Sequence, residues 1–64
     1  MTMDYTIEHK VNPDTDWYPV DRWYRALLHK AIAEAREWLF RRGGYVRVID
    51  AEGKVYMNTE LMER

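Results

Sequence analysis

From Met3 to Val11 the chain alternates, with Met3, Tyr5, Ile7, His9 and Val11 on one side and Asp4, Thr6, Glu8 and Lys10 on the other. A period of two with one wet face predicts a β-strand over residues 3–11. Asn12-Pro13-Asp14-Thr15-Asp16 then interrupts regular structure, because proline removes a backbone donor and Asn and Asp favour turns, so residues 12–18 read as a loop. From Val20 the apolar positions fall at 20, 24, 27, 28, 31, 35, 38 and 39, the spacing of one helical face. Pro19 suits a first helical turn, Arg41 and Arg42 suit the negative end of the helix dipole, and Gly43-Gly44 supplies a left-handed residue to end it. The expected helix therefore spans residues 19–42, with Asp21/Arg25 and Glu37/Arg41 as i,i+4 pairs.

Two β-branched and aromatic runs follow, Tyr45-Val46-Arg47-Val48-Ile49 and Lys54-Val55-Tyr56-Met57-Asn58, around Asp50-Ala51-Glu52-Gly53. This pattern predicts a hairpin over residues 45–58, with a type I turn and a glycine bulge. If Asp50 pairs with Lys54, then Ile49 faces Val55, Val48 faces Tyr56 and Arg47 faces Met57. The tail, residues 59–64, is either a helical turn or frayed. The expected architecture is α+β, strand-helix-strand-strand, a three-stranded sheet with one long helix packed on one face.

Sixty-four residues without cysteine make one small domain, residues 1–64, that buries only about 60% of its unfolded surface. With neither disulfide nor thiolate zinc site to add stability, association with another chain is the remaining device. No apolar run has the length of a signal peptide or a membrane span, so the expected partners include no membrane and the expected location is the cytoplasm. The net charge of −1 conceals a segregation: residues 1–18 sum to −3, residues 19–42 to +3 and the remainder to −1. An overall balance of this kind makes nucleic acid a less favoured partner than protein.

Three surface features follow from placing residues on these elements. One helix covers one sheet face, yet both faces of the hairpin are apolar: Val46, Val48 and Tyr56 on one, Tyr45, Ile49, Val55 and Met57 on the other, where Arg47 interrupts them. Because a mid-strand arginine is cheaper in water than in a core, the second set is expected to stay uncovered, although those residues could instead cap core edges or meet the tail. The back of the helix would carry Arg22, Arg25, His29, Arg36 and Phe40 around Ala26 and Ala33. That suits an acidic protein surface or a phosphate backbone, and equally an ordinary solvated face. In the loop, Trp17 and Tyr18 follow Asp14 and Asp16, either as a lid over the helix start or as aromatic anchors for a partner pocket. The candidate partner-binding residues are thus Trp17, Tyr18, Arg22, Arg25, Arg36, Phe40, Arg47 and Met57.

Catalytic candidates are missing. The chain has neither Cys nor Ser, removing the two commonest side-chain nucleophiles. His9 and His29 stand on different elements and in no zinc-ligand spacing, and Asp14, Asp16 and Asp21 lack the glycine and bidentate glutamate of a calcium loop. Gly43-Gly44 follows a helix instead of opening one, so it is no phosphate cradle. No catalytic residue, cofactor or metal is expected.

The stretch Glu34-Ala35-Arg36-Glu37-Trp38-Leu39-Phe40-Arg41-Arg42-Gly43-Gly44-Tyr45-Val46-Arg47-Val48-Ile49-Asp50-Ala51-Glu52-Gly53-Lys54-Val55 resembles the helix-glycine-hairpin of small phage-encoded inhibitors, including anti-CRISPR proteins and phage inhibitors of bacterial RNA polymerase. It covers about a third of the chain. The resemblance implies a non-enzymatic protein that occupies the surface of a larger host or defence protein complex. Two rival expectations stand beside it: a small nucleic-acid-binding regulator using the basic helix face, and a homodimeric structural module joined through the open sheet face.

Overall fold

A computed structural model describes residues 2–62. Its elements are β1 (Met3–Lys10), β2 (Tyr18–Ala26), α1 (Leu28–Arg42), β3 (Tyr45–Asp50), β4 (Val55–Asn58) and α2 (Thr59–Met62). The class is α+β, but the sheet has four strands where the sequence pattern predicts three. Its order is β2-β1-β3-β4, and every pairing is antiparallel.

The extra strand comes from the first third of the expected helix. Residues 18–26 pair with β1 as a hairpin, closed by residues 11–17, and α1 begins only at Leu28. Tyr18, Val20, Trp23 and Tyr24 are all good strand formers, and Pro19 is tolerated because β2 is an edge strand. The helix-like spacing there arises from two irregularities in the β1–β2 register, between Ile7 and Glu8 and between Met3 and Tyr5. Each inserts a residue and reverses the alternation, which disguises a period of two. Consequently Tyr24, expected in the core stripe, is 68% exposed. Asp21 does not pair with Arg25; its carboxylate accepts hydrogen bonds from the Arg22 amide at 2.9 Å and from Trp23 Nε1 at 3.0 Å.

From Leu28 onward the helical expectation and the structure agree. Ala31 and Ala35 are fully buried, with Leu28, Trp38 and Leu39 packed on the same core. Arg41 reaches Glu37 at 3.3 Å. Gly43, with φ of +68°, donates its amide to the Leu39 carbonyl at 2.8 Å and ends the helix.

Small alanines let α1 lie close across one sheet face, where Tyr5, Ile7, Val46, Val48 and Met57 complete the core. The β3–β4 hairpin begins as expected, with Ile49 opposite Val55, and then shifts, so that Met57 faces Val48 and Asn58 faces Arg47. The shift makes Tyr56 the bulged residue. Its hydroxyl donates to Asp50 at 3.0 Å and its ring meets Tyr5 edge-on at 5.7 Å. Met57, expected on the uncovered face, is therefore turned into the core and is 8% exposed. Of the tail, Thr59–Met62 is helical, and residues 63–64 lie outside the described residues.

Candidate functional site

The sheet face opposite α1 is built from cross-strand rows, because residues directly opposite in antiparallel strands share a face. One row runs Arg22, Thr6, Ile49, Val55 from the β2 edge to the β4 edge. The next runs Pro19, Glu8, Arg47, Asn58, and a third pairs Lys10 with Tyr45.

The third row and part of the second are covered. Trp17, from the loop before β2, lies against two cations, with Lys10 Nζ at 4.8 Å and the Arg47 guanidinium carbon at 4.7 Å from the ring centre. Both cations are neutralised nearby. Arg47 donates to Glu8 directly opposite it, and Lys10, only 7% exposed, bridges Glu60 of α2 at 2.9 Å. Thr59 holds α2 against the sheet edge. Its hydroxyl accepts from the Val46 amide at 3.0 Å and donates to the Val46 carbonyl at 3.3 Å, taking the place of the strand that ends at Asn58.

The first row is open. Asp4, Thr6, Glu8, Arg22, Tyr24 and Ile49 line a shallow depression there, closed at one end by the β3–β4 turn. That turn is ordered by Asp50, whose carboxylate accepts from the Glu52 and Lys54 amides, each at 2.9 Å, as well as from Tyr56. Led by the Lys54 amide, these donors hold the Asp50 carboxyl below its ordinary pKa against the opposing effect of burial. The same carboxylate, accepting the Tyr56 hydrogen bond, holds the phenol above its ordinary value, and burial adds to that shift.

The expected site residues thus do not gather on one surface. Trp17, Arg22 and Arg47 share the open face. Tyr18 is exposed at the start of β2, and Arg25 near its end, with φ of +52° and its amide bonded to Asp4 at 2.9 Å. Arg36 and Phe40 remain on the outer face of α1, where Phe40 is 88% exposed, and Met57 belongs to the core. The basic helix face is not formed as expected, since Arg22 and Arg25 stand on β2. Sequence reasoning missed Tyr24 and Thr6, whose placement follows from the unrecognised strand, and Lys10, whose partner is fifty residues away in the chain. The alternation in β1 does put Thr6 and Lys10 on the same face.

Among the described residues no group of three or more His, Asp or Glu side chains is arranged to hold a metal ion, and no helix is long and apolar enough to cross a membrane. Comparison with known proteins finds no matching family model, curated protein or solved structure.

Proposed function

We propose that this chain is a non-enzymatic protein-binding inhibitor, phage-encoded and acting in the host cytoplasm, that blocks a host or defence complex by occupying part of its surface. The observation that carries the reading is the asymmetry of the sheet: α1 covers one face, while the other presents Arg22 and Tyr24 at a shallow depression lined from β1, β2 and β3. Aromatic and arginine side chains are enriched at binding hot spots, the rings because they offer large contact area with few rotatable bonds and arginine because its planar fork makes several hydrogen bonds at once. The Trp17 contacts with Lys10 and Arg47 stiffen the neighbouring part of the same face. Inhibition by occupancy needs no reacting group.

The test is capture from host lysate followed by assay of the captured complex. Stoichiometric loss of that complex's activity on adding the purified protein is expected. A captured complex that works normally at saturating protein overturns inhibition. A regulator that binds nucleic acid would be retained on oligonucleotides at low salt and released steeply as salt rises, and a homodimeric module would sediment as a dimer at micromolar concentration.

A further inference from the structure

Two segments lie over the covered end of the sheet without entering the core. Among the described side chains, none from residues 11–17 or 59–60 belongs to the hydrophobic cluster under α1. What holds them is largely polar, and most of it meets at one ammonium group. Lys10 Nζ, at the end of β1, bridges Glu60 of α2 at 2.9 Å, donates to the Pro13 carbonyl at 3.4 Å and stands 4.8 Å from the centre of the Trp17 ring. Beyond that lysine, Trp17 lies against Arg47, and the Thr59 hydroxyl bonds the amide and carbonyl of Val46. The hydrogen bonds between Asn12 and Thr15 stay within the loop and tie it to nothing else. α2 is a single turn, too short to persist as a helix once detached.

We infer that residues 11–17 and α2 form one flap that opens as a unit while the rest of the fold stays intact, and that the Lys10–Glu60 ion pair is its latch. A segment opens ahead of the whole molecule when it can leave without exposing the core, and neither of these takes core side chains with it. The coupling between them follows from the shared lysine. Withdrawing α2 removes the Glu60 carboxylate and leaves a nearly buried cation without its counter-charge, so the ammonium turns out to water. In turning out it leaves the Pro13 carbonyl and the Trp17 ring, which loosens the loop. Lifting the loop first has the converse effect, because water reaching Lys10 weakens its attraction to Glu60. Opening bares the row that pairs Lys10 with Tyr45 and the Arg47 part of the row beside it, so the uncovered sheet face has two sizes, one with the flap closed and one with it open.

The test is hydrogen exchange of the isotope-labelled full chain, followed in urea at concentrations below the unfolding transition. The Val46 amide, whose acceptor is the Thr59 hydroxyl, reports the flap; the Ala35 amide, in the middle of α1 and fully buried, reports the whole fold. Val46 is expected to exchange at least about tenfold faster than Ala35 and to change little with urea, because flap opening exposes little surface, whereas Ala35 accelerates steeply. A common rate and a common urea slope for the two amides overturns the flap. Glu60→Gln is expected to speed Val46 exchange about tenfold or more, the scale of one lost charge-assisted hydrogen bond, and Trp17→Leu about threefold, through the ring contacts of the other segment. Unchanged Val46 exchange in Glu60→Gln overturns the latch, and unchanged exchange in Trp17→Leu shows two segments opening independently and overturns the unit. Should either variant fail to fold, the urea dependence of the unsubstituted protein still decides the flap. Lys10→Met, which keeps the stem and removes the ammonium, then decides the latch: faster Val46 exchange supports it and an unchanged rate overturns it.

Discussion

Lys10 and Glu60 lie fifty positions apart in sequence and 2.9 Å apart in space, tying the end of β1 to α2. The lysine is nearly buried, with Trp17 and Tyr45 as ring neighbours at 4.8 and 6.0 Å and the Pro13 carbonyl at 3.4 Å. Removing the carboxylate strands a charge in a poorly solvated place, whereas removing the charge itself leaves a chain stem that can still pack. Glu60→Gln is therefore expected to cost about 1–3 kcal/mol in urea unfolding, and Lys10→Met less. A larger loss for Lys10→Met would assign the stabilisation to the ring contacts instead of the ion pair.

The Asp50–Tyr56 pair makes stability depend on pH at both extremes. A carboxyl whose folded pKa lies below its unfolded one contributes stability above the unfolded value and loses it as pH falls through the folded value. Acid unfolding of the native protein below about pH 4 should thus be steeper than that of Asp50→Asn, read from urea midpoints across the acid range. Tyr56 has the opposite sign. Its raised folded value means stability present below the unfolded pKa and lost as pH rises through the folded one, so Tyr56→Phe should flatten the profile above about pH 10.

How much of this was legible in the sequence depended on how local each determinant was. The second half of α1 announces itself through Ala31, Ala35, Trp38 and Leu39 and through the Gly43 cap. Its start does not: Leu27 at the N-cap makes no side-chain cap bond, and the first turn has no acidic residue to mark it. With no stop signal before it, the pattern around Val20 and Tyr24 runs on into the helix, and only pairing with β1 reveals β2. The hairpin turn is legible because Asp50 and Gly53 act over a few residues. The bulge at Tyr56 is not, since it is set by the phenol reaching Asp50 and Tyr5. For the open face, period two in β1 places Thr6, Glu8 and Lys10 together, but which of their charges are already paired depends on Arg47 and Glu60, and so on the fold.

Gly44 is where β1 and the chain leaving α1 touch. With φ of +75°, an added Cβ would stand 2.4 Å from the Lys10 carbonyl oxygen and 3.0 Å from His9 Nε2, while at Gly43 nothing lies within 4 Å. His9 also donates from Nε2 to the Gly43 carbonyl at 2.8 Å, so the chain here is held from both sides. Gly43 combines φ of +68° with ψ of −159°, a region essentially confined to glycine, so Gly43→Ala should cost about 1–3 kcal/mol through backbone strain alone. Gly44→Ala adds a backbone clash and should cost at least about 1 kcal/mol more, seen as a lower midpoint in thermal unfolding. Equal losses would mean that β1 yields at Lys10 without strain.

Arg25 holds a left-handed conformation, φ of +52°, that arginine rarely adopts, at the register irregularity ahead of Ala26. The carboxylate of Asp4, across on β1, accepts its amide at 2.9 Å and supplies part of what holds it there. Left-handed backbone costs a non-glycine residue about 1–2 kcal/mol, so Arg25→Gly should gain stability, by less than that because glycine also loosens the unfolded chain. Asp4→Ala removes the acceptor and should destabilise by about 0.5–1.5 kcal/mol. In the double variant the Asp4 effect should shrink, since a glycine can reach the same turn with no carboxylate to fix it, and a double-mutant cycle in urea measures that coupling. Strict additivity would show that the Asp4 hydrogen bond and the backbone conformation of residue 25 are independent, and that β1 alone shapes the turn into α1.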